Sequence, residues 1–139
     1  MPNGVAVALA PALDPACVKV TTPTEIERQI GEVVATATIA VFAGMQEIQD
    51  GGLAPATRAR AGDLFVEMFK LQEANFGEID FAAVARREAK RILWARYGAA
   101  MRERLNYSEV ELDHALDTLI DRPLDVLRKV TAVERAWAN

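Results

Sequence analysis

Residues 22–52 read TPTEIERQIGEVVATATIAVFAGMQEIQDGG, and this stretch sets the class of the fold. Thr22, Pro23 and Glu25 have the spacing of a capping box with proline at the first helical position. Ile26, Ile30, Val33, Val34, Ala37, Val41, Met45 and Ile48 then recur at steps of three and four until Gly51-Gly52, which stop the helix. At ~1.5 Å per residue such a helix runs about 40 Å, the length of a whole domain. Its middle, TATIAVFAGM, is apolar or small on every face. A helix of that kind is expected to be buried all round, by its own domain or by neighbouring subunits. Gly31, Ala35, Ala40 and Gly44 permit close approach of other helices.

Downstream, Pro55 opens a second helix carrying Leu64, Phe65, Met68 and Leu71 on one face, broken between Asn75 and Asp80 around Gly77. Asp80 caps a third helix, Phe81 to about Leu105. Ser108 and Glu111 form a capping box for a fourth, with Val110, Leu112, Leu116, Leu119 and Ile120. Asp121 and Pro123 predict the start of a fifth, bearing Leu124, Leu127, Val130 and Trp137. Upstream, Val5, Val7 and Leu9 alternate with alanines and Val18 and Val20 flank Lys19, on either side of the turn-like PALDP. That period of two predicts an extended arm or a short hairpin. The reading is therefore all-α: a bundle of about five helices over residues 23–139, preceded by an extended N-terminal arm over residues 1–22.

At 139 residues, 51% hydrophobic and 26% charged, the composition is that of an ordinary globular domain. No Lys or Arg precedes Lys19, and Pro11, Asp14 and Pro15 interrupt the apolar start, so no secretory signal is predicted. The longest later apolar stretch, Val33 to Met45, falls short of the ~20 residues a membrane span needs. A soluble protein, cytoplasmic or part of a virion, with no membrane partner is expected.

Motifs of catalysis are sparse. Glu111 and His114 make a single Glu-x-x-His, whereas a di-iron site of ferritin type uses that motif twice with two further glutamates. The one cysteine, Cys17, allows no intrachain disulfide and has only His114 as a potential basic partner. Gly51 and Gly52 lack the preceding strand and following Gly-Lys-Ser/Thr of a phosphate loop. The expectation is a protein without catalytic residues, metal or cofactor.

Charge is distributed unevenly. The third helix, from Asp80 to Leu105, carries seven basic and three acidic residues inside a chain of net charge −4. Glu109, Glu111, Asp113, Asp117, Asp121 and Asp125 of the next segment face a single Arg122. Arg86 with Lys90, and Arg87 with Arg91, are four-residue pairs away from the apolar stripe, expected to reach solvent or a partner. Three arrangements satisfy such a layout: ion pairs within the chain, basic and acidic ridges meeting between subunits, or phosphate contacts by the basic helix.

The sequence reading favours contacts between subunits. Arg86, Arg87, Lys90 and Arg91 then form one side of a protein interface, and Asp113 and Asp117 the other. The function expected is non-enzymatic assembly into a homo-oligomer or a larger complex. Small helical components of bacteriophage particles, such as head-to-tail connectors, are analogous in architecture. The alternative is a nucleic-acid-associated regulatory or packaging protein that uses the basic helix.

Overall fold

The computed structural model describes residues 23–138, so the expected arm over residues 1–22 lies outside the described residues. Four helices follow one another: α1 (Glu25–Asp50), α2 (Pro55–Ala74), α3 (Phe81–Leu105) and α4 (Glu109–Ala138). Among the described residues there is no strand.

Local signals place most of the boundaries. Asp80 accepts a hydrogen bond from the Ala83 amide at 3.2 Å, and Ser108 and Glu111 exchange backbone-to-side-chain bonds at 2.8 and 3.1 Å. Asn106 ends α3 in the left-handed region at φ 55°, which asparagine tolerates better than most side chains. No side chain of its own caps α2. Instead, Glu47 of α1 accepts from the Ala54 amide at 2.9 Å and the Thr57 hydroxyl at 2.7 Å, tying the two helices across their tight connection.

Two expectations need correction. The capping box of α1 is formed by Thr24 and Glu27, not by Thr22 and Glu25, and Pro23 lies outside the helix. Both pairs have the same spacing in sequence, and the structure uses the later one. The fourth and fifth predicted helices are one continuous helix, α4, with Pro123 inside it. Proline removes one amide donor from the ladder and crowds the preceding turn, at ~3 kcal/mol. Against that loss, Leu116, Ile120, Leu124 and Leu127 continue one buried face through the site, and Pro123 is itself fully buried.

The helices alternate in direction. Arg86, Lys90 and Arg102 of α3 meet Asp121, Asp113 and Glu109 of α4, so those two run antiparallel. Arg87 and Arg96 of α3 meet Glu27 and Glu32 of α1, so those two run parallel. The start of α1 and the end of α4 consequently share one end of the bundle. There Thr131 of α4 donates to Gln72 near the end of α2 at 2.8 Å.

The expected all-round burial of α1 is met only in part: between Ile30 and Ala40 most positions are enclosed by α2, α3 and α4, but Glu32, Thr36 and the exposed Ile39 line an open face one turn apart. Beyond Val41 the helix emerges, leaving Phe42 and Ile48 exposed. The tightest approach lies at Gly31, where an added Cβ would come within 2.5 Å of the Glu88 Cβ and 3.3 Å of Ile92. Gly62 in α2, by contrast, has nothing within 4 Å of an added Cβ.

Gly31→Ala is therefore expected to destabilise the fold by ~1–2 kcal/mol, because overpacking against the α3 backbone outweighs the gain in helix propensity. Gly62→Ala is expected to stabilise it by ~0.5–1 kcal/mol through propensity alone. Urea unfolding midpoints of the two variants should move in opposite directions.

Candidate protein interface

The four basic residues of α3 form two diverging rows, because residues four apart on a helix stack on one face. Arg86 and Lys90 point along α4. Arg87 and Arg91 lie toward α1 and are largely exposed.

In the first row, the Lys90 ammonium lies 3.1 Å from a carboxylate oxygen of Asp113 and 3.1 Å from Oδ1 of Asp117. The Asp117 contact is an ion contact without hydrogen-bond alignment, and this oxygen, itself buried, receives no hydrogen bond. Arg86 pairs with Asp121 one turn further along. Burial would push the Lys90 ammonium down, but its close contacts with the Asp117 and Asp113 carboxylates and their charges outweigh it and hold it above the ordinary lysine value. The Arg86 guanidinium is likewise held above its ordinary value, chiefly by its hydrogen bond to Asp121.

The second row converges on Glu88, which sequence reasoning did not single out. Its side chain is buried where α3 crosses Gly31. Arg87 donates to it at 2.8 Å, and Arg91 approaches with two nitrogens at 2.8 and 3.1 Å. Arg87 also bridges to Glu27 of α1 at 3.1 Å. Burial alone would raise the Glu88 carboxyl, but the bonds from Arg87 and Arg91 and their charges outweigh it and hold the group below 4.5. The available signal for Glu88 was its position: an acidic residue one turn from Gly31 in space is invisible until the helices are docked.

Each of the six residues assigned to an interface from sequence thus has an ion-pair partner within its own chain: Lys90 meets Asp113 and Asp117, whereas Arg86 pairs with Asp121, and Arg87 and Arg91 with Glu88. Beside them runs an open groove of about 580 Å³, with Trp94 along its wall. Trp94 and Met101 pack partly against the core, while Tyr97 stays exposed. His114 is exposed on α4, its carbonyl accepting from the Thr118 hydroxyl at 3.0 Å. Among the described residues no group of three or more His, Cys, Asp or Glu side chains is placed to hold a metal ion. Nor is any helix among them long and apolar enough to cross a membrane. Comparison with known protein families, with curated proteins and with solved structures finds no match.

Two outcomes are expected from this geometry. Glu88, held low, contributes stability that is present above pH 4.5 and lost as pH falls through its depressed native value. Glu88→Gln should be less stable than the parent at pH 7, and the gap in urea midpoint should narrow at acidic pH, where the parent's carboxyl is also neutral. Reversing Arg86 and Lys90 to glutamate in one chain should cost ~1–2 kcal/mol, since these half-exposed pairs are worth ~0–1 kcal/mol each. Adding Asp113→Lys and Asp117→Lys to the same chain should restore part of it, as measured by thermal unfolding at low protein concentration.

Proposed function

We propose that this protein is a non-enzymatic assembly component that acts by associating with copies of itself within a larger complex. One observation carries the reading. Toward the C-terminal end of α4, Val126, Val130, Val133 and Trp137 are 43%, 44%, 57% and 86% exposed, and they lie on one side of the helix. Singly exposed apolar residues are ordinary on any surface, but a continuous apolar stripe on one element marks an interaction surface. The stripe runs to the end of the bundle that also holds the start of α1.

A bundle with an arm, joining like subunits, is the architecture of small bacteriophage particle proteins such as head-to-tail connectors. The proposal takes that analogy as its setting, in a virion or in the cytoplasm during assembly. Charge complementarity contributes register more than affinity in such contacts. The paired rows on α3 and α4 suit that role by presenting alternating charge. Nucleic-acid packaging is the competing function. Arg86, Arg87, Lys90 and Arg91 would have to exchange carboxylate partners for phosphate, and the net charge of −4 opposes it.

Mass in solution separates the two. The purified full chain should form dimers or larger species as its concentration rises, unaffected by added DNA. A species that remains monomeric alone and shifts only with DNA, with an affinity that falls steeply with salt, would replace assembly by nucleic-acid binding.

A further inference from the structure

The exposed stripe of α4 has the spacing of a helix-pairing seam. Val126, Val130, Val133 and Trp137 follow one another at steps of four, three and four, and half-buried Leu119 lies seven residues before Val126. A repeat alternating three and four residues keeps one apolar line facing a partner helix along its length. Beyond Pro123, which the bundle buries, the bundle does not use this line. Its own contacts with α4 run along Leu116, Ile120, Leu124 and Leu127, roughly a quarter-turn away on the ~100°-per-residue wheel, and continue in Thr131 bonded to Gln72. The side chains of Ala132, Val133, Glu134, Ala136 and Trp137 beyond are all exposed.

The charges beside the line identify the occupant. Lys129 flanks it on one side and Glu134 on the other, and both are exposed and outside every ion pair among the described residues. In a parallel pair of helices, the residue flanking the seam on one side meets the residue five positions later on the opposite side of the partner. Lys129 and Glu134 are five apart. Two copies side by side in the same direction therefore make the Lys129–Glu134 pair twice, once on each side of the two-fold axis. An antiparallel arrangement instead sets residues of the same flank against each other, so Lys129 would not meet Glu134.

We propose that the C-terminal half of α4 pairs in parallel with the same segment of a second copy, through Val126, Val130, Val133 and Trp137, with Lys129 and Glu134 bridging the two chains. The inference rests on the assembly reading and names its first contact. Two heptads bury less than the ~1,200 Å² at the lower bound of stable interfaces, so the dimer dissociates on dilution.

Sedimentation velocity of the full chain, from about 1 to 200 µM, tests this. The parent should pass from monomer to dimer over that range. Val130→Glu, at an exposed position, should keep the parent's far-ultraviolet circular dichroism and remain monomeric throughout. Lys129→Glu and Glu134→Lys should each weaken pairing about tenfold, because like charges then meet twice. Their equimolar mixture should regain the parent's affinity, since both bridges re-form between unlike chains. Association of Val130→Glu equal to the parent would overturn the seam while leaving assembly standing. A parent that is monomeric at every concentration would remove the assembly reading itself. If Val130→Glu abolishes pairing but neither charge variant weakens it, the parallel orientation is wrong.

Discussion

The contact between Gly31 of α1 and Glu88 of α3 governs the rest of the molecule. Only the absence of a side chain at Gly31 lets α3 come this close, and the approach buries a carboxylate at the crossing. A buried charge is tolerated when it is paired and hydrogen-bonded. Arg87 and Arg91 supply that pairing from the same helix, one residue before and three after. Their guanidiniums are thereby drawn toward α1. The opposite row, Arg86 and Lys90, is left to face α4.

That division explains why an acidic protein concentrates its positive charge on one helix. α3 lies between two acidic neighbours, Glu27 and Glu32 of α1 on one side and Asp113, Asp117 and Asp121 of α4 on the other. Each pair is exposed enough to add little stability by itself. Together they select which face of α4 meets α3, since turning the Asp113, Asp117 and Asp121 row away would leave Lys90 and Arg86 without carboxylates; the aspartates recur every four residues, so register along the helix is left to the apolar packing. The charge layout therefore acts first on which helix faces meet within the bundle, and any contact it makes with a partner uses what this pairing leaves over.

The apolar surface shows the complementary pattern. α1 is enclosed where three helices surround it and emerges where they no longer reach, while α4 turns one apolar face to the bundle and a second to solvent. A helix with two apolar faces has one more than a four-helix core requires. The excess on α4 is continuous and ordered by steps of three and four, unlike the isolated exposures at Val66 and Val110.

Much of the fold was legible in the sequence because it is written in local chemistry. Helix periodicity, the caps at Asp80 and Ser108, and the stops at Gly51 and Gly77 depend on residues within a turn of one another, so a linear reading finds them. The class, all-α, and most of the helix boundaries follow from that. Three things depended on docking. Pro123 reads as a helix start, and only a buried face running through it makes α4 continuous. Thr22 and Thr24 offer equal capping boxes, and the choice between them is settled by where α1 begins in the folded chain. The partners of the basic helix are the third. Sequence singled out six charged residues, yet which carboxylate each cation meets, and the central place of Glu88, arise from distances between helices that no single segment encodes. Pattern along the chain determines what each helix is; the crossing at Gly31 and the burial it imposes decide which of its faces meets which neighbour.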